Sequence, residues 1–248
     1  MIAVCISGKI HEDYKQNIKN IQKVFPYPTF FGTWKDSPQP DVSNLFTFDE
    51  PKFDYHPMLE LPWNPPCNIF KNLVREEGKL RRLNRIEQTQ TSAVQILGHH
   101  LLVREIPRRY TTIIRLRYDT IVSEKVSFSK YLSMAIKGKV VGFGDFVGSR
   151  KSNARIEPSN RLTEYKHQSI SRCHYNIWDS MIFHPRHRIE SAWHLYQEKR
   201  LMGMEWGWFQ VLCGSRTDPN YINVNGGVML NKLKVQMQDI SHRFTGKK

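Results

Sequence analysis

The chain has 248 residues, 40% of them hydrophobic and 24% charged, the proportions of a globular protein and enough for one large domain spanning 1–248. No apolar run approaches the roughly 20 residues that cross a bilayer, which argues against a transmembrane protein. Lys and Arg total 37 against 23 Asp and Glu, a net charge of +14, and such an excess attracts polyanions, phosphorylated metabolites or acidic membrane surfaces without choosing among them.

The opening Met1-Ile-Ala-Val-Cys-Ile6 is apolar at once, with no basic n-region and no small-residue cleavage site after it, so it reads as a first strand and not as a signal peptide. Ser7-Gly8 closes it. Tyr14, Ile18, Ile21 and Phe25 recur at helical spacing over 12–25 until Pro26 stops the helix. Thr29 to Trp34 forms a second strand and completes a βαβ unit. Residues 35–68 hold seven prolines, from Pro38 to Pro66, and form a long loop with one short strand at Leu45 to Phe48. Leu80, Leu83, Ile86, Ala93, Ile96, Leu97 and Leu101 keep one apolar stripe, predicting a helix over 69–103.

A β-branched strand follows from Tyr110 and runs to Asp119. Further strands are expected at Lys139 to Val147 and Asn176 to His184, helices at His187 to Met202 and Met204 to Cys213, and a last strand at Tyr221 to Val224 with a turn at Gly226-Gly227. Residues 148–174, rich in Ser, Asn and Arg, read as a mobile basic loop, and 242–248 as a short basic tail. The alternation predicts a single α/β domain, Rossmann-like, with a mostly parallel mixed sheet flanked by helices.

The strand ending at Asp119 is the densest source of candidate chemistry. Thr111 to Ile114 has the composition of a strand buried on both faces, where charges are costly unless paired or functional. Arg115, Arg117 and Asp119 then stand at i, i+2 and i+4, on one face of an extended strand. Open α/β sheets take ligands in the crevice beyond such carboxyl ends. The two guanidinium groups offer bidentate forks to a diphosphate, and Asp119 offers a carboxylate to a divalent ion or a ribose. An internal ion pair, Arg to Asp119 or Glu105, explains the same residues.

Ser7, Gly8 and Lys9 end the first strand where a nucleotide can approach the backbone closely, although a plain turn also accounts for them. No G-x-G-x-x-G or Walker pattern accompanies them. Arg81, Arg82 and Arg85 form a basic patch on the long helix, a phosphate contact or a solvated face. Glu205, next to aromatics at the start of a helix, is a candidate general base, with Trp206 or Trp208 to cover a sugar ring; a charge favoured by the helix dipole is the alternative. Asp179, expected inside an apolar strand, is the second candidate base, and Asp145 a third carboxylate. The ten histidines show no metal-ligand spacing, and the four cysteines, Cys5, Cys67, Cys173 and Cys213, show neither C-x-x-C nor a disulfide pattern, which fits a reducing cytoplasm.

The order of Ile2-Ala-Val-Cys-Ile-Ser-Gly8, Phe30-Phe-Gly-Thr-Trp34, Glu87-Gln-Thr-Gln-Thr-Ser92 and Tyr110-Thr-Thr-Ile-Ile-Arg-Leu-Arg-Tyr-Asp119 resembles the small GT-A-like glycosyltransferases of bacterial surface-polysaccharide clusters, which also occur in cyanophages. The last segment is similar to that family's "YD-x-x-I-R-x-R-x-D" strand. The resemblance implies a GT-A-like fold and transfer of a sugar from a nucleotide-diphosphate donor, a UDP-sugar first among them, to a hydroxyl of a glycan or lipid-linked acceptor. It places the protein in the cytoplasm, a host's if viral. Ser7, Gly8, Lys9, Arg82, Arg85, Arg115, Arg117, Tyr118 and Asp119 would then bind the donor.

The family's DxD position maps onto Arg117-Tyr118-Asp119, where the first acid is missing. Either Asp119 alone holds Mn²⁺ or Mg²⁺, or the arginines supply the positive charge. Glu205, then Asp179, would act as base if the anomeric centre inverts. Two other readings remain: a basic nucleic-acid-binding accessory protein, whose affinity would fall steeply with salt, and a nucleotide-binding protein without catalysis. Homo-oligomerisation is compatible with each.

Overall fold

The computed structural model describes residues 1–10, 12–53, 93–145, 162–166, 177–214 and 221–230. Strands β1 (Ile2–Ser7), β2 (Thr29–Trp34), β3 (Leu45–Phe48), β4 (Thr112–Leu116), β5 (Thr120–Val122), β6 (Val140–Asp145), β7 (Thr163–Lys166), β8 (Met181–Pro185) and β9 (Tyr221–Leu230) form a single mixed sheet. Its order is β3-β2-β1-β4-β8-β6-β9-β5, with β7 also on β9. The pairings make β1, β2, β3, β4, β6 and β9 run one way and β5, β7 and β8 the other, so the sheet is mostly parallel. Helices α1 (Tyr14–Val24), α2 (93–105), α3 (Ser129–Ile136), α4 (Ser191–Gln197) and α5 (Met204–Cys213) flank it. The α/β class expected from the alternating pattern is the one observed.

Because helices cover both sides, β1, β2 and β4 are buried along almost their whole length, and their apolar runs follow from that double burial. Alternate residues feed two cores. Ala3, Cys5 and Ile113 face α2, α4 and α5, whereas Val4, Ile6, Ile114 and Leu116 face α1 and α3. Arg186, just past β8, donates to the carbonyls of Pro107 at 2.8 Å and Ile106 at 2.9 Å. Its charge thereby caps the carboxyl end of α2, where free carbonyls and the helix dipole favour a cation.

Several boundaries differ from the sequence pattern for local reasons. The strand drawn to Asp119 ends at Leu116, because the Thr120 amide returns to the Arg117 carbonyl at 3.2 Å and closes a turn. The strand expected from Asn176 begins only at Met181, so Asp179 precedes it. The helix drawn over His187 to Met202 is a 3-10 turn, Arg186–Ile189, followed by α4. Lys199, at φ 56°, then reverses the chain so that the Arg200 and Leu201 amides cap the Leu195 carbonyl. Gly226 and Gly227 lie inside β9: their φ values of 95° and 82° accommodate a bulge where the β6 register shifts, and the strand continues. Strand β7 falls within the predicted basic loop 148–174, and α3 had no counterpart in the predicted elements. The tail 242–248 and the proline-rich stretch beyond residue 53 lie outside the described residues.

Candidate active site at the β1/β4 switch point

The strand order reverses at β1, which leaves β2 on one side and β4 on the other, both parallel to it. Connections on opposite sides of such a point diverge and open a crevice at the strand carboxyl ends. Ile6 pairs with Leu116, so Ser7-Gly8-Lys9 and Arg117-Tyr118-Asp119 emerge side by side at that edge. Gly8 adopts φ 122°, with nothing within 4 Å of the place a Cβ would take. The Ser7 hydroxyl is buried and finds no hydrogen-bond partner among the described residues. Lys9 is exposed.

The turn after β4 is held from three sides. Asn17 of α1 donates to the Tyr118 carbonyl at 2.9 Å. Asn20 exchanges two hydrogen bonds with the Val122 backbone, at 3.0 and 2.7 Å. Thr120 accepts from the Arg117 amide at 3.2 Å and donates to the Ser180 carbonyl at 3.1 Å, which ties the turn to the segment before β8. That second segment is drawn close to β6 by glycine. A Cβ at Gly144 would lie 2.3 Å from the Trp178 ring, and one at Gly142 would lie 2.6 Å from Ile177. Thr120, Gly142 and Gly144 thus bring Asp179 next to Asp119; as isolated residues in the sequence they carry no chemical signal.

The ionic groups then form one constellation. Arg117 donates through Nε and Nη2 to the two oxygens of Asp119, both at 2.8 Å, and through Nη1 to Asp179 at 3.4 Å. Asp119 is 2% exposed, whereas the side chains of Arg117 and Asp179 are 17% and 23% exposed. Asp179 is therefore the carboxylate of the pair that solvent reaches. The ion-pair reading of Arg117 and Asp119 is the geometry found.

This geometry bears on the divalent metal expected at Asp119. Mn²⁺ or Mg²⁺ needs direct carboxylate oxygens at about 2.0–2.2 Å, and both Asp119 oxygens already accept from a guanidinium. No group of three His, Cys, Asp or Glu placed to hold a metal occurs among the described residues. The residues at Asp119 do not fit a divalent ion.

Arg115, two residues earlier, is wholly buried. Its guanidinium lies 4.6 Å from the Trp208 ring centroid, and none of its three nitrogens finds an acceptor among the described residues. Burial pulls its pKa down to about 10, while Asp179 acts in the opposite sense, so it remains a cation at neutral pH. Behind it His99 and His184 meet Nε2 to Nε2 at 2.9 Å. His184 Nδ1 lies 2.9 Å from its neighbour's carbonyl, Pro185, and must carry a proton there. Burial lowers both histidines, His184 to about 4, so His184 presents a bare Nε2 and His99 donates to it. These two are core histidines that surround Arg115 with neutral groups.

Tyr118 is placed differently from a donor contact. Its side chain is fully buried, stacks near Phe31 and donates to the Gly32 carbonyl at 3.3 Å, leaving no surface for a ligand. Glu205 belongs to the first turn of α5, but its side chain, like that of Asp145, lies outside the described set. Arg81, Arg82 and Arg85 lie outside the described residues. Burial raises the Cys5 thiol well above its ordinary pKa, which makes it inert.

No family model and no curated protein matches the sequence. Among solved structures the chain is similar to S. aureus TarS 1-349, at 9% identity and a TM-score of 0.43, over 91% of this chain and 60% of that one. It is also similar to the galactosyltransferase LgtC in complex with donor and acceptor sugar analogues, at 10% identity and a TM-score of 0.41, over 90% and 73% of the two chains. A third similar structure is mannose-1-phosphate geranyltransferase from Thermus thermophilus, at 11% identity and a TM-score of 0.41, over 92% and 74%. The chain spans 60% of the TarS fragment's length. None of these likenesses assigns a role to a residue of this chain.

Proposed function

We propose that the protein is a GT-A-like glycosyltransferase of the surface-polysaccharide or cyanophage type. It would act in the cytoplasm, moving a sugar from a nucleotide-diphosphate donor, a UDP-sugar first, to a hydroxyl of a glycan or lipid-linked acceptor. The observation that carries this reading is the β1/β4 switch point, where a basic cluster stands beside a solvent-reached carboxylate. Lys9, Arg115 and Arg117 against Asp119 and Asp179 leave one net positive charge at the edge.

In this reading the Gly8 backbone lies against the donor, and Arg117 and Lys9 face its diphosphate. Arg115 contributes through its field, since a buried cation with no acceptor among the described residues is weakly screened. As the acceptor oxygen bonds to the anomeric carbon, the bond from that carbon to the diphosphate oxygen breaks. The leaving diphosphate takes the electron pair, and the acceptor proton passes to Asp179. Glu205 is the other base candidate. Preorganised positive charge at the leaving oxygen is worth about 10²–10³ in rate per donor group.

A thermal-shift panel of UDP, GDP and CMP compounds tests the donor class: one diphosphate should raise the melting temperature, and no shift with any of them removes this reading. Release of free sugar from that donor separates catalysis from binding alone. Asp179→Asn should retain the shift while losing about 10²–10⁴ in rate; unchanged turnover would move the base to Glu205.

A further inference from the structure

We propose that Arg117 fills the place of the divalent cation at this site, so that the protein binds and positions its diphosphate without metal. The proposal rests on the donor-binding reading above for its ligand, but its geometric content is independent of it. Two carboxylates reach the same point from separate segments, Asp119 from the turn after β4 and Asp179 from the stretch before β8, and Arg117 lies between them. Its fork takes both Asp119 oxygens at 2.8 Å and its remaining nitrogen reaches Asp179 at 3.4 Å. That is the arrangement of a cation bridging two acids, with a planar guanidinium in the centre.

Charge supports the same assignment. A divalent ion would bring +2 to the two acids, whereas Arg117 brings +1, and Arg115, two residues earlier in β4, supplies a second positive charge. Burial of Arg115 without an acceptor among the described residues is costly for the fold, and it leaves that charge uncancelled by any of them. The paired arginine therefore organises the acids, and the unpaired one supplies the surplus field.

Mn²⁺ binding, read by the loss of the free-ion paramagnetic resonance signal, tests this on the full-length chain. Wild-type protein should leave the Mn²⁺ signal unchanged, and EDTA should leave any nucleotide-induced melting shift unchanged. Arg117→Ala removes the guanidinium from both carboxylates and should bind Mn²⁺ in about one equivalent, the loading of one two-carboxylate site; Arg117→Lys, which keeps a cation there, should not. Saturable Mn²⁺ binding by the wild type, or loss of the nucleotide shift in EDTA, overturns the proposal. So does a folded Arg117→Ala that leaves Mn²⁺ free, because the acids would then form no cation site. Should Arg117→Ala fail to fold, the wild-type measurements decide. If no nucleotide binds, the donor reading fails, while the Mn²⁺ titrations still decide the role of Arg117.

Discussion

The two faces of the sheet are packed by different rules. The face under α1 and α3 is a close-fitting apolar cluster in which Phe143 meets Phe183 at 4.7 Å between ring centroids and Phe25 meets Phe128 at 5.3 Å. The face under α2 and α5 also holds aliphatic and aromatic residues, but into them it sets Arg115, His99, His100 and His184, several of whose polar atoms have no partner among the described residues. Unsatisfied buried donors cost about 1–3 kcal/mol each, so the second face is less stable than its apolar area alone would make it. The proposed site would account for that cost, whereas the first face holds the sheet together.

The comparison breaks first if the apolar face is not the stabilising one. Phe183→Ala should cost about 3–5 kcal/mol in chemical denaturation, with the affinity of the folded fraction for the proposed nucleotide unchanged. An affinity loss out of proportion to unfolding would show that the faces are not separate.

On the polar face, His99 and His184 stay neutral in the fold but take protons once unfolded. Below the ordinary value of 6.5 and down to about 4 for His184, the unfolded chain binds more protons, so stability falls as the pH is lowered, by about 1.4 kcal/mol per unit for each histidine. Above 6.5 they contribute no slope. Denaturation midpoints across that window should lose the His184 share of the slope in His184→Gln, and an unchanged slope would place the titration elsewhere.

Arg115→Met keeps bulk against Trp208 and removes a buried charge that has no acceptor among the described residues. It should raise stability by about 1–4 kcal/mol while weakening the nucleotide-induced melting shift. A destabilised variant would mean that the guanidinium is satisfied after all. The smallest effect is expected at Gly144→Ala, where the added methyl must displace Trp178 at a cost of about 1–3 kcal/mol. Movement of the adjacent Asp179 should then lower turnover more than donor affinity, and an unaltered rate would detach Asp179 from the chemistry.

Periodicity and composition are local properties, and what they reported was local. Thr29 to Trp34 and Leu45 to Phe48 were legible as strands, and Met204 to Cys213 as a helix, because burial imposes their pattern residue by residue. Arg115, Arg117 and Asp119 were legible as candidates because charge inside a β-branched run is anomalous wherever the strand ends. Lys9 and Ser7 followed from their place after the first strand.

Patterns along the chain were enough for an α/β architecture of mostly parallel strands and for the strand end at which charges would gather. Folding in three dimensions turns Arg117 back onto Asp119 and leaves Arg115 without an acceptor among the described residues, since ion pairing depends on groups brought from elsewhere in the chain. Asp179 joins them from about 60 residues away, as its spacing from Arg117 shows, through a threonine bond and a glycine gap that no pattern along the chain encodes.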